Sequence, residues 1–307
     1  MTKTMVVIAG PTGVGKTKTG IELARAFRSE IISADSRQIY KEIPIGTAAP
    51  STEERAGVPH HLIASHSIFD YYSAFEFEQE ALALTEELFQ KQDVLFMVGG
   101  SMMYIDAFCH GIDELPTIDP QLRQDLMTQL DSDGIEALRL QLKQLDPVFY
   151  TQVDLKNPKR VIHALEICLM TGQPYSTLRT NPKKERPFKI IRIGLNRDRP
   201  ELYARINQRV LEMMEQGLEQ EARSLLNNKH LNALNTVGFK ELFACFNGEY
   251  DMEKAIELIQ RNSRHYAKKQ LSWFNRNPEI HWFHPSATKA MFQLIEQESG
   301  FHADENL

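Results

Sequence analysis

An α/β fold with a parallel sheet, interrupted by an all-helical insertion, is what the order of this sequence predicts, on three observations. Short apolar runs alternate with helical patterns through the first half, the mark of strands joined by crossover helices. A glycine-rich stretch, Gly10 to Thr17, lies between the first such run and the first helical pattern. From about Pro116 the pattern turns helical, with Pro120, Pro147, Pro158 and Pro174 as punctuation, until "FKIIRIGLN" returns as strand.

The elements follow in order. "TMVVIAG" reads as strand and Lys16 to about Phe27 as helix; "EIISAD" is the next strand. "AFEFEQEALALTEELFQ" has the helical period, and "DVLFMVGG" is a third strand. Pro182 and Pro187 flank a basic loop; after "FKIIRIGLN" the chain reads as helical to a polar tail. The expected division is a core of 1–115 with 188–307 and an inserted helical domain at 116–187.

Composition narrows the class. The chain has 307 residues, 42% hydrophobic and 25% charged, ordinary for a soluble globular protein. No apolar run nears the ~18–20 residues that span a bilayer, so no membrane partner is expected. Cys109, Cys168 and Cys245 lie far apart with no CxxC, which argues against a disulfide framework or zinc site and fits reduced thiols in the cytoplasm. His60 and His61 lack metal-ligand spacing and read as structural. The net charge of −6 disfavours a nucleic-acid partner until its distribution is seen: residues 156–192 hold nine Lys/Arg against two Glu. That local excess suits a docked polyanion, and equally a solvated surface.

"GPTGVGKT" matches G-x-x-x-x-G-K-[ST] between a strand and a helix, the P-loop context. Gly10, Pro11, Thr12, Gly13, Val14 and Gly15 would turn backbone N–H groups toward a di- or triphosphate at the helix N-terminus. Lys16 adds a point charge, and the Thr17 hydroxyl suits Mg²⁺. The core is therefore expected to be P-loop NTPase-like. The third strand ends in Gly99-Gly100-Ser101 instead of a magnesium-holding acid, which weighs against an ATPase motor or GTPase. A kinase, or an enzyme using the loop on a diphosphate leaving group, remains. The second strand also ends unusually, in Asp35, Ser36, Arg37 and Gln38: an acid, a hydroxyl, a guanidinium and an amide at one tip.

Seven stretches together resemble one family. "GPTGVGKT", "ISADSRQIY", "VPHHLI", "VGGSMMYIDA", "NPKRVIHALEICLMTGQP", "TVGFKEL" and "RHYAKKQLSWF" stand in the order seen in tRNA dimethylallyltransferases, and cover nearly the whole chain. The resemblance implies transfer of a prenyl group from dimethylallyl diphosphate to N6 of adenosine 37 of tRNA, with Mg²⁺ and a helical insertion gripping the anticodon arm. It implies an extruded adenine meeting the diphosphate in a channel. No zinc-finger extension of the eukaryotic type is seen, so the bacterial form is expected, as a monomer.

The resemblance also assigns residues. Asp35, one strand over from the P-loop, would accept a proton from the attacking amine; Ser36 and Gln38 would bind the adenine edge and Arg37 the sugar–phosphate. Ser101 stands where the family more often has threonine, and Met102 where it has glycine. Its hydroxyl keeps a contact near the reacting centre within reach, or caps the following helix. Arg123 matches a tRNA-contacting position, and Lys159, Arg160 and His163 fall in the family's tRNA segment. Arg223 is a candidate for closing over pyrophosphate. In "RNSRHYAKKQLSWFNR", Arg261, Arg264 and Lys268 would form a basic stripe toward RNA, with Tyr266 and Trp273 on an apolar face. The rival readings are a small-molecule kinase, an RNA-binding module with a vestigial P-loop, and prenylation of free adenine nucleotides.

Overall fold

The computed structural model describes residues 2–180 and 183–304. Pro182, expected at one end of the basic loop, lies outside them. The elements are β1 (Thr4–Ala9), α1 (Lys16–Ala26), β2 (Ile31–Ala34), α2 (Thr52–Arg55), β3 (His60–His61), α3 (Ala74–Leu88), β4 (Val94–Gly99) and α4 (Met102–His110). Then come α5 (Pro120–Asp133), α6 (Ile135–Leu145), α7 (Pro147–Gln152), α8 (Pro158–Thr171) and α9 (Tyr175–Leu178). The remainder is β5 (Lys189–Leu195), α10 (Arg199–Glu215), α11 (Leu218–Ser224), α12 (Phe239–Phe246), α13 (Met252–Phe274), β6 (His281–Phe283) and α14 (Thr288–Ser299).

The chain divides into two compact units, one of residues 1–109 with 185–307 and one of 110–184. In the first, six parallel strands run in the order β3-β2-β4-β1-β5-β6. The central strands β1, β2 and β4 are buried along their whole length because both faces are covered, as in parallel sheets generally. Val6, Ile8, Phe96 and Ile193 pack on one side with Ile21 and Leu23 of α1; Met5, Val7, Leu95 and Met97 pack on the other with Phe77 of α3 and Phe108 of α4. A third apolar cluster joins Ile39 and Ile43 to α11, α12 and α13.

Two expectations are corrected here. The end of the chain is not helical throughout: His281–Phe283 forms β6 and pairs with β5. Nor is Asp35 one strand from the P-loop, since β4 lies between β2 and β1. The register sets Ala9 opposite Gly99, and Gly99 opposite Ala34, so three strands end level at one edge. His60 and His61 form β3, with His61 Nε2 2.6 Å from Glu30 Oε2. Cys109 and Cys168 are free and buried, and burial pushes the Cys109 thiol up to about 11. Among the described residues no helix is long and apolar enough to cross a membrane.

The second unit is helical. Leu126, Leu138, Leu142, Phe149, Val161 and Leu165 form its core. Asp119, Asp146 and Asn157 cap α5, α7 and α8, each followed by a proline at the first helical position. It begins before Pro116 because Asp113 Oδ1 accepts from the Thr180 amide at 2.9 Å and the His110 carbonyl accepts from Lys184 N–H at 2.8 Å. The basic stretch 156–192 is divided by this boundary. Arg186, Lys189 and Arg192 belong to the sheet unit and pair with Glu78, Glu298 and Glu279, whereas Lys156, Lys159, Arg160 and Arg179 are exposed on the helical unit.

Candidate active site

The P-loop turns out of β1 and into α1 through left-handed backbone at Gly13 (φ 77°) and Gly15 (φ 109°), where a side chain would be strained. Three distant side chains brace it. Arg205 Nε donates to the Gly13 carbonyl at 2.9 Å, Arg197 Nε to the Val14 carbonyl at 2.7 Å, and Gln270 Oε1 accepts from Thr12 N–H at 2.8 Å. Lys16 Nζ donates to the carbonyls of Gly10 (3.0 Å) and Pro11 (2.8 Å). Desolvation pulls that amine down to about 8, against the opposing pull of Asp35 and with help from the nearby Arg209 charge.

Asp35 follows the last residue of β2. Its Oδ1 accepts from the amides of Arg37 (3.0 Å) and Gln38 (3.3 Å), which fixes the carboxylate in a turn. Between Asp35 and the P-loop, β4 ends without side chains. A Cβ on Gly99 would sit 2.1 Å from the Ala34 carbonyl oxygen; one on Gly100 would sit 3.3 Å from the Gly10 oxygen and 3.4 Å from Lys16 Nζ. The two glycines are what let β2 and the P-loop approach each other's field across an intervening strand.

Ser101 is buried, and its Oγ accepts from Ser36 N–H at 2.7 Å while its own N–H donates to the Ala34 carbonyl at 3.1 Å. The hydroxyl thus ties the tip of β2 to the end of β4. Gln38 Nε2 donates to the carbonyls of Thr47 and Ala48, so its donor side holds the 43–50 loop. Arg37 Nη1 donates to the Asn232 carbonyl. Arg209 Nη2 donates to the Ala48 carbonyl, and burial lowers its pKa despite the neighbouring Asp35 charge. Tyr104 is buried and Tyr266 38% exposed, both within the field of Asp35 and Arg37.

The remaining expectations fare differently. Arg223 pairs with Glu219 and stacks 4.1 Å over the Phe246 ring; the guanidinium groups on the P-loop itself are those of Arg197 and Arg205. Arg264 bonds Asn207 Oδ1 at 2.6 Å and lies over Tyr203, so it packs on α10 and leaves the stripe expected with Arg261 and Lys268. The buried face of α13 is Ala255, Ile259, Ala267, Gln270 and Phe274, without the exposed Tyr266. A groove of about 520 Å³ runs along the helix instead, lined by Met102, His265, Lys268, Lys269, Trp273 and Arg276.

In the helical unit, Arg123 and His163 converge on the fully buried Glu166, and Lys159 and Arg160 stand exposed on the first turn of α8. Gln270, Arg197, Arg205, Arg209 and Glu166 are residues that sequence reading misses. Gln270 lies inside "RHYAKKQLSWF", where the run of cations drew attention from it.

Thr17 presents the only protein oxygen expected for magnesium. Among the described residues no three His, Cys, Asp or Glu side chains gather as metal ligands. A hydroxyl at a helix start beside an anion cradle fits a hard cation carried mostly by phosphate oxygens and water.

The family described as "IPP transferase" matches residues 38–277. The chain is similar to tRNA dimethylallyltransferase 2 of Parabacteroides distasonis, 54% identical over 96% of this chain and 98% of the relative. It is also similar to a solved full-length tRNA isopentenylpyrophosphate transferase of Bacillus halodurans, with TM-score 0.71 and 34% identity over 97% of each chain. A eukaryotic dimethylallyltransferase, solved acting on tRNA, gives TM-score 0.76 at 25% identity over 99% of this chain and 81% of the other.

Proposed function

The chain belongs to the IPP transferase family of tRNA dimethylallyltransferases, and from that premise we propose that it moves the dimethylallyl group of dimethylallyl diphosphate onto N6 of adenosine 37 in tRNA. The observation that carries the reading is the placing of an anion cradle and a fixed carboxylate at level strand ends, with the Gly99-Gly100 end of β4 between the two strands.

The P-loop amides and Lys16 hold the diphosphate and offset the charge that builds as its bond to the allylic carbon breaks. Arg205 and Arg209 extend that positive rim. The N6 lone pair forms the new C–N bond, pyrophosphate leaves with the electrons of the C–O bond, and the amine proton passes to Asp35. Because Oδ1 is committed to two backbone amides, Oδ2 is the oxygen that receives it. The Thr17 hydroxyl would hold magnesium, which would supply neutralising charge when bound.

Adenine is read by the Ser36 hydroxyl and by Gln38, whose committed donor side leaves Oε1 for the exocyclic amine. Ser101 supports this edge through the Ser36 amide, and Arg37 takes sugar–phosphate. Lys159, Arg160, His163 and Arg123 meet backbone phosphates, which position RNA without reading its sequence. Arg223 closes over the departing pyrophosphate only by leaving Glu219 and Phe246.

The test is incubation with labelled dimethylallyl diphosphate and bulk unmodified tRNA, followed by nucleoside analysis. Label in N6-dimethylallyladenosine supports the assignment; label transferred as readily to AMP as to tRNA overturns it.

A further inference from the structure

We propose that Gln270 is a positioning residue that sets the phosphate cradle against the Asp35 carboxylate, an inference that rests on the prenyl-transfer reading. Its side chain is 2% exposed on α13 and bonds backbone at both ends. Oε1 accepts from Thr12 N–H, within the cradle, and Nε2 donates to the Gly100 carbonyl, both at 2.8 Å.

The Gly100 bond reaches further than Gly100. The next residue, Ser101, takes the Ser36 amide on its Oγ and gives its own amide to Ala34, so it grips β2 on both sides of Asp35. One amide therefore links the loop after β1 to the turn after β4, and that turn to the carboxylate. An amide is the neutral side chain that can accept from one backbone and donate to another at once. It enters because residue 100 has no side chain: a Cβ there would lie 2.4 Å from Nε2. Both polar atoms bond protein backbone and the side chain is buried, so Gln270 acts through Thr12 and Gly100 and not on substrate. It also takes the Thr12 amide out of the set that can face an anion, leaving that work to the later amides of the loop.

The arrangement has a kinetic signature. Anion binding needs only the cradle, whereas transfer needs cradle and carboxylate in register, and misplacement by about 1 Å can cost about 10²-fold in rate. In the full chain, Gln270→Met keeps the length and removes both bonds. Single-turnover transfer, with labelled dimethylallyl diphosphate and unmodified tRNA saturating, should fall about 10- to 100-fold. Affinity for inorganic pyrophosphate, by calorimetry, should change no more than about threefold, well short of the rate effect. Gly100→Ala, which pushes the amide from the other side, should give the same split.

The cycle with Asp35→Asn separates register from mere folding. In that background Gln270→Met should lose most of its effect, since residues acting as one unit are not additive. A saturated rate within about threefold of wild type overturns the proposal, as does full additivity with Asp35→Asn. So does a loss matched by the unfolded fraction in thermal melts. Wild-type chain that binds pyrophosphate and tRNA but transfers nothing overturns the functional reading itself, before any variant is made.

Discussion

Arg123 and Glu166 meet in a two-toothed pair, Nε to Oε1 at 2.6 Å and Nη2 to Oε2 at 2.8 Å, with the carboxylate wholly buried and the guanidinium 45% exposed. His163 Nδ1 adds a third contact, to Oε2, at 3.5 Å. Burial alone would raise the Glu166 carboxyl, but hydrogen bonds from His163 and Arg123 outweigh it and hold the group below its ordinary value of 4.5. With the folded value below the unfolded one, its stabilisation is complete above about pH 4.5 and is lost as pH falls through the folded value. Glu166→Gln should cost about 1–3 kcal/mol at neutral pH. It should also flatten the acid limb of stability. Urea unfolding of the full chain at several pH values measures both.

Asp35→Asn keeps size and polarity but is a poor proton acceptor. If the carboxylate is the base for N6, the chemical step should slow by about 10²–10⁴-fold with both substrates still bound. The amine becomes acidic only as its new bond forms, which favours the lower end. Single-turnover transfer at saturation measures this, and a rate within a few-fold of wild type removes Asp35 from catalysis.

Lys16 makes pyrophosphate binding depend on pH. Burial lowers its amine to about 8, and the anion binds the charged form, so the amine's share of the affinity should be complete below that and fall toward tenfold per unit above it, on top of pyrophosphate's own titration. Asp35→Asn removes the charge that raises this group, so the fall should begin at lower pH. Lys16→Ala should bind weakly and keep only the dependence that pyrophosphate's own titration gives. Calorimetry with inorganic pyrophosphate from pH 6.5 to 9.5 tests all three.

The exposed cations Lys159 and Arg160 predict an acceptor that is a polyanion. An anticodon stem-loop should bind more tightly than adenosine, with affinity falling as salt rises through counterion release. Each of Lys159→Ala and Arg160→Ala should lower the magnitude of the log–log salt slope by about 1. Transfer should proceed with magnesium and no nucleoside triphosphate. Stoichiometric ATP use per product would overturn that expectation.

What was legible in the sequence follows from where each signal is stored. β1, β2 and β4 announce themselves because both faces are buried and glycine or aspartate stops them; β5 does so by its apolar run, which Asn196 ends. β3 and β6 do not: two histidines, and His281-Trp282-Phe283, become strand only by lying beside β2 and β5. The P-loop and Asp35 were readable because their chemistry is local. Arg197, Arg205 and Gln270 were not, since each bonds a carbonyl or amide of a loop more than 180 positions away, and any polar residue leaves the same trace in a sequence. Glu166 was passed over because an acid within a basic segment reads as dilution, although it is what two of the expected RNA contacts lean on.

The bond from Gln270 to Thr12 closes a span of 258 residues. A ribosome lays down the loop among the earliest residues and its brace near the last, with the helical unit made in between. A nascent chain can pair its first strands long before cradle and carboxylate are held in register. Transfer is thereby deferred until synthesis is nearly done, and a truncated translation product carries the motif without the register.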